Sequence, residues 1–272
     1  MRVAVAVLWA AARAFAAPTS LELWQSNLDT ALVALSDWFV IGLGAGTLPR
    51  EIFATYVAQD ASFLKSFAEA YERAIAKCPA DLPRCETDLR GLAAAVQEEL
   101  ALHAGYAKKW GADLDDGFEP LDATTAYVQF LDQVSAAPES SVAEVVAAMT
   151  PCMTLYAAVG HALDSAGAAA EANENPYAEW VETYASDDFQ AAAKTIEDLL
   201  DVLAARDDVS DANVEDYYAL AMQLEYGFFR AQRHAGERFF EAKIEYLLEH
   251  GFTFGPSGSR VETVRGDAAG DL

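Results

Sequence analysis

The chain has 272 residues, 18 basic and 43 acidic, for a formal charge of −25, and 53% of it is hydrophobic. That composition excludes a chain disordered throughout. The charge excludes a nucleic-acid binder, which needs clustered Lys and Arg, and a protein docking on anionic lipid. Three cysteines and four separated histidines fit neither a disulfide-built scaffold nor a zinc quartet, so neither metal nor cofactor is expected.

Residues 1–20 begin with Met1 and Arg2, continue through an apolar run to Ala12, and place small residues around Ala14 and Ala16. This reads as a targeting leader for the secretory route. Ala14-Phe15-Ala16 followed by Pro18 is also similar to the junction of leaders that carry proteins to a plastid in an alga; without such a leader the chain would be cytoplasmic. From residue 21 to 250 apolar residues recur at three- and four-residue spacing, predicting one all-helical domain. A helix is predicted over 52–76, with Pro49 just before it. Cys78 to Cys85, with Pro79 and Pro83, reads as a loop, compatible with a disulfide or with two free thiols. Further helices are predicted over 92–110, over 142–163 behind the capping box Ser141/Glu144, from Ser186 onward, and over 213–249. Residues 251–272 are rich in Gly and Ser and read as a flexible tail.

Several polar residues fall on the apolar stripes, where burial costs kilocalories unless a partner or a function compensates. Asp60 is in step with Phe53, Tyr56, Phe63 and Phe67; Glu99 and His103 with Val96, Tyr106 and Trp110. Cys152 is in step with Met149, Tyr156 and Val159, and Glu225 lies beside Ala221 and Phe228. Each has a bland reading: Cys152 as a small core residue, Asp60 and Glu225 as buried ion-pair members, Glu99/His103 as a structural hydrogen bond, Tyr127, Tyr156 and Tyr184 as core aromatics. Their convergence on one interior describes a polar-lined, aromatic-walled ligand pocket. Pro151 interrupts the backbone bonding of its helix beside Cys152 and is expected to bend it there.

These segments, in order, carry a resemblance. Gly46-Thr-Leu-Pro49 with Phe53, Tyr56, Asp60, Phe63 and Phe67 opens the set. Glu99/His103, Tyr127 to Leu131, Pro151-Cys152 with Tyr156, Trp180 to Tyr184, and Glu225 to Phe229 follow. The set resembles the TenA/thiaminase II family, in its cysteine-containing branch. The resemblance implies a heme-oxygenase-like helical bundle without heme, a homotetramer, and a thiamin-salvage hydrolase acting on an aminopyrimidine or thiamin. It implies Cys152 as nucleophile, Glu225 as acid/base partner, and Asp60 as the group binding the pyrimidine nitrogens. Phe63, Tyr127, Tyr156, Tyr184 and Phe228 would line the ring. Departures from the family pattern are Ser36-Asp-Trp-Phe39 in place of a His-Pro-Phe-like segment, Thr154 where Trp is frequent, and Phe63 where Tyr is frequent; they bear on substrate choice more than on fold. Two other readings compete: a non-catalytic pyrimidine-binding or regulatory protein, and a di-iron oxidase using Glu99, His103, His161, Asp164 and Glu225.

Overall fold

Among the described residues every long regular element is an α-helix, as the spacing of apolar residues predicts. A computed structural model describes residues 17–112, 119–170, 174–206 and 209–232. The helices are α1 (Ser20–Ser26), α2 (Leu28–Leu35), α3 (Trp38–Gly44), α4 (Arg50–Ala76), α5 (Pro83–Trp110), α6 (Asp122–Ala136), α7 (Val142–Ser165), α8 (Ala178–Ala185), α9 (Asp187–Ala204) and α10 (Asp211–Gln232). The proposed tail, most of the proposed leader and residues 233–250 of the last predicted helix lie outside the described residues. Residues 17–20 lead into α1, which Thr19 and Glu22 start with a reciprocal capping box.

The local signals explain most boundaries. Ser141 and Glu144 form the expected capping box at α7, and the Ser186 hydroxyl accepts from the Phe189 amide (3.2 Å) to start α9. Asp187 and Asp188 place negative charge at the positive end of that helix. Gly111, at φ 75°, ends α5 in the left-handed region.

One boundary differs from expectation. The predicted helix over 92–110 starts earlier, at Pro83, so Cys85 sits in a helical first turn and the loop ends before it. These early turns bury Cys85 and Leu89 in register with Leu92, and their outer face carries charge pairs, Arg84 with Asp88 at 2.6 Å and Arg90 with Glu86 at 2.8 Å. Cys78 and Cys85 are joined by a disulfide with Cα atoms 5.8 Å apart.

At about 1.5 Å per residue, α4 and α5 are each about 40 Å long. They pack along one another, and α6 lies on α4. On the other side α7 is the hub, in contact with α8, α9 and α10. It is apolar enough to cross a membrane, yet it is the innermost helix of the bundle, buried continuously from Val142 to Ala157. A helix apolar on all faces is what a central position demands. The chain continues helically through Pro151. The site forms where α4, α5, α6, α7, α8 and α10 converge.

Candidate active site

The structure brings the sequence-predicted site residues together. Asp60, Phe63, Tyr127, Tyr156, Tyr184, Glu225 and Phe228 are at most 4% exposed, and Cys152 is 9% exposed. Helical spacing dictates this: Tyr56, Asp60 and Phe63 lie one turn apart on α4, as do Cys152 and Tyr156 on α7, and Glu225 and Phe228 on α10.

Two carboxylate centres result. In the first, Glu225 Oε1 accepts from the Tyr127 hydroxyl at 2.7 Å, and the Cys152 thiol bonds to the same carboxylate. Burial, with the charge of Asp60 adding to it, pushes the Glu225 carboxyl up to about 8 despite those two bonds. Burial also pushes the Cys152 thiol well above its usual value, reinforced by Glu225. A neutral thiol therefore faces a carboxyl that titrates near neutrality, a pair suited to moving one proton between sulfur and oxygen.

In the second, Asp60 Oδ2 accepts from the Tyr56 hydroxyl (3.0 Å) and lies 2.7 Å from His103 Nε2. His103 Nδ1 sits 2.9 Å from the Glu99 backbone oxygen, and the Tyr184 hydroxyl donates to Glu99 Oε1 at 2.6 Å. Trp180 Nε1 donates to the Tyr56 oxygen at 3.2 Å, and the Tyr156 hydroxyl is 3.5 Å from it. Burial and the neighbouring Asp60 push Glu99 up to about 7. Burial alone would lower His103, but Asp60 and Glu99 together raise it to about 9.

Between the two centres stand the rings. Phe63 lies 4.6 Å from Tyr127 and 6.2 Å from Phe228, while Tyr156 lies 5.0 Å from Tyr184 (centroid distances). Rings at such spacings pack directly on one another and form an aromatic wall, the kind of surface on which a flat heteroaromatic ligand stacks. Phe63 carries no hydroxyl, so this wall is apolar on the α4 side. Thr154, the other departure, bonds backward within α7, to the Thr150 carbonyl at 3.2 Å. Asp37 caps α3 by accepting from the Phe39 amide at 2.9 Å, so Ser36-Asp-Trp-Phe39 does the structural work of starting a helix.

The ligand set of the di-iron reading is not assembled. Asp60, Glu99 and His103 are the one cluster among the described residues whose ligand atoms approach within 4.8 Å of one another. His161 and Asp164 are exposed on the outer end of α7, and Glu225 is bound to Tyr127. Sequence reasoning gave no role to Tyr56 and Trp180, although each lies one turn from a predicted site residue, Asp60 and Tyr184, which is the signal that would have found them.

The comparisons agree with this geometry. The model of the TENA/THI-4/PQQC family matches residues 38–250. The chain is 34% identical over 237 residues to the bifunctional TH2 protein, mitochondrial, of Arabidopsis thaliana, covering 79% of this chain and 38% of that protein. It therefore spans well under half of that relative's length. It is 31% identical over 166 residues to an aminopyrimidine aminohydrolase of Halalkalibacterium halodurans, covering 60% of this chain and 71% of the relative. A solved TenA family transcription regulator from Silicibacter sp. TM1040 superimposes with a TM-score of 0.71 at 27% identity, covering 80% of this chain and 97% of that one. A TenA homologue from Pyrococcus furiosus, at 21% identity and TM-score 0.69, shares the fold. With the family's motifs converging on one buried site, the chain belongs to the TENA/THI-4/PQQC family.

Proposed function

We propose that the protein is a thiamin-salvage hydrolase that cleaves the exocyclic C–N bond of an aminomethylpyrimidine, or of thiamin, by cysteine nucleophilic catalysis. The observation that carries this reading is the Cys152–Glu225 pair set across a ring of aromatic side chains from the Asp60 carboxylate. Relatives bearing the name aminopyrimidine aminohydrolase support it. As the Cys152 sulfur bonds to a ring carbon, its proton passes to Glu225. Glu225 then gives that proton to the departing amine as the exocyclic C–N bond breaks. Water adds to the methylene carbon, the carbon–sulfur bond breaks, and the proton released by water returns to sulfur. The net change is aminomethylpyrimidine plus water to hydroxymethylpyrimidine plus ammonia. Asp60 holds the amino group and ring nitrogen by charge-assisted hydrogen bonds. Ammonia and hydroxymethylpyrimidine release should be lost, by roughly a hundredfold or more, in Cys152→Ala and in Glu225→Gln. Full activity in Cys152→Ala would overturn the reading.

The same reading includes self-association into a tetramer. It is supported by exposed apolar side chains on α2 and α3: Leu32 (52%), Val33 (48%) and Ile41 (56%). Light scattering on wild type and Leu32→Asp tests it; a wild-type monomer would overturn it. Delivery to the secretory route or a plastid rests on the composition of residues 1–20, and the Cys78–Cys85 disulfide supports it, since such bonds persist in oxidising compartments. A fluorescent reporter fused to residues 1–40 should leave the cytosol.

A further inference from the structure

Tyr71 lies outside the hydrogen bonds of the site, yet its side chain is fully buried and its hydroxyl has no hydrogen-bond partner among the described residues. It stands on α4 about three turns beyond Asp60 and on the same face. Its ring meets that of Phe67 edge-on at 5.1 Å, and Phe67 stacks on Phe63 at 5.3 Å, so it continues the aromatic wall. A buried hydroxyl without a partner forfeits the bonds it made in water, which costs free energy unless something else supplies them.

The packing of three helices decides what surrounds that hydroxyl. α4 is antiparallel to α5: Arg50 meets the Lys109 carbonyl at 2.8 Å near one end, Asp60 meets His103, and the Cys78–Cys85 bridge closes the other end. It is antiparallel to α7 as well, with Tyr56 opposite Tyr156 (3.5 Å) and Lys77 bonded to the Ser140 carbonyl (2.9 Å) just ahead of α7. Helical side chains lean toward the N-terminus of their own helix. Tyr71 therefore leans back toward the site, while Glu99 on α5 and Cys152 on α7 lean toward Tyr71. These are the two ionisable groups whose charge its hydroxyl feels, and neither is within hydrogen-bond reach of it. Glu99 accepts from Tyr184 through Oε1 and keeps Oε2 without a donor among the described residues. The Cys152 thiol bonds to Glu225, and its sulfur can still accept. A carboxylate oxygen and a sulfur, each too far from the hydroxyl to bond it directly, complete with it the set of partners that a buried water requires.

We propose that Tyr71 and Glu99 hold a water molecule beside the Cys152 sulfur, and that this is the water the hydrolysis consumes. This rests on the hydrolase reading above, in which water must reach the methylene carbon after the amine has left. Tyr71 donates to the water oxygen, and the water donates one hydrogen to Glu99 Oε2 and directs the other at sulfur. Its remaining lone pair forms the carbon–oxygen bond to the methylene. The electrons of the exocyclic double bond move into the ring, the carbon–sulfur bond breaks with its pair going to sulfur, and sulfur takes the second hydrogen of water as a proton. Glu99 stays a hydrogen-bond acceptor throughout. Two tasks are thereby separated around one sulfur: Glu225 and Tyr127 serve the departing amine, Tyr71 and Glu99 the entering water.

Two measurements test the proposal. A crystal structure of the intact protein without substrate should show an ordered water within about 2.6–3.2 Å of both the Tyr71 hydroxyl and Glu99 Oε2. A dry gap there would overturn the proposal and leave the hydrolase reading intact. Second, ammonia release from aminomethylpyrimidine should be followed by rapid quench in wild type and Tyr71→Phe, which keeps the ring and loses only the hydroxyl. The first turnover of the variant should run at the wild-type rate, with a burst of ammonia equal to the sites present. Steady turnover should then fall about tenfold, the worth of one hydrogen bond to the attacking water, and intact mass should show the pyrimidine held on Cys152. Unchanged steady turnover would overturn the proposal. A first turnover slowed as much as the steady rate, with no adduct, would assign Tyr71 a merely structural role and overturn it as well. If wild type holds the water and releases no ammonia, the hydrolase reading fails and takes the role of this water with it.

Discussion

The Tyr127 hydroxyl donates to Glu225 Oε1 across 2.7 Å, joining α6 to α10 at the side of Cys152. Both residues are fully buried, and the bond holds the Glu225 carboxyl below where burial would otherwise place it. Tyr127→Phe removes that bond and leaves the ring, so Glu225 should titrate above about 8. Glu225 must begin as the carboxylate to take the Cys152 proton, so the ascending limb of kcat should move to higher pH. At neutral pH kcat should fall about tenfold through lost orientation, with about 1 kcal/mol of stability lost. A pH–rate profile that superimposes on wild type would show that Glu225 is not the group that takes it.

Gly160 makes room for the element that carries Tyr184. A Cβ at residue 160 would lie 2.4 Å from the Tyr184 carbonyl carbon and 2.7 Å from the Ala185 nitrogen. Both are backbone atoms and cannot turn aside as a side chain could. Gly160→Ala should therefore push α8 away from α7, taking with it Trp180 and the bond from Tyr184 to Glu99. Overpacking of this kind costs about 1–3 kcal/mol. Thermal unfolding should shift down, and KM for the pyrimidine should rise more than kcat falls. A variant with wild-type Tm and KM would show that the two helices can separate freely.

The reach of the sequence is clearest on α4, where period 3.6 placed Phe53, Tyr56, Asp60, Phe63 and Phe67 on one face, and that face is buried. Cys152 and Glu225 were legible for the same reason, a polar group in an apolar register. The partners were less legible because hydrogen bonds between helices leave no periodic trace. Tyr127 and Glu225 are 98 residues apart, and Tyr184 and Glu99 are 85. Glu99 and His103 also offered two possible metal ligands on one face, although a structural hydrogen bond is the commoner use of such a pair. The Asp60 oxygen 2.7 Å from His103 reads instead as an ion-pair partner, and only three-dimensional placement supplies it. The early turns of α5 were missed because their apolar stripe is thin, Cys85 and Leu89 ahead of Leu92, and Pro83 and the two cysteines read as loop.

The disulfide closes the turn between α4 and α5, the two longest helices among the described residues, and Cys85 is fully buried. Cross-linking residues so near in sequence restricts the unfolded chain and is worth roughly 2 kcal/mol. Reductant should lower the Tm of the wild type by several degrees and leave Cys78→Ser/Cys85→Ser unchanged. Activity at low temperature should survive, since neither cysteine approaches the site. A wild-type Tm insensitive to reductant would mean that the thiols are free or that the turn is held without the bond.

Stability should fall as pH rises from 5 to 9, because three buried groups hold protons that the unfolded chain releases. Glu225 titrates at about 8 and Glu99 at about 7 in the fold, against 4.5 for a carboxyl in the open. Between 4.5 and those values the folded state binds more protons than the unfolded one, so each carboxyl weakens the fold as pH climbs through that window. His103 acts the same way from 6.5 to about 9, since its ion pair with Asp60 is lost when the imidazolium releases its proton. Each group contributes at most about 1.4 kcal/mol per pH unit, and the windows overlap between 6.5 and 7, where the slope should be steepest. Unfolding temperatures across this range should therefore decline without a ligand, and the decline should flatten below pH 8 in Glu225→Gln, which stays neutral at every pH. A Tm that rises from pH 6 to 9 would mean that these groups release their protons more readily in the fold than in the open chain, and the raised titration of Glu225 and Glu99 would then be wrong.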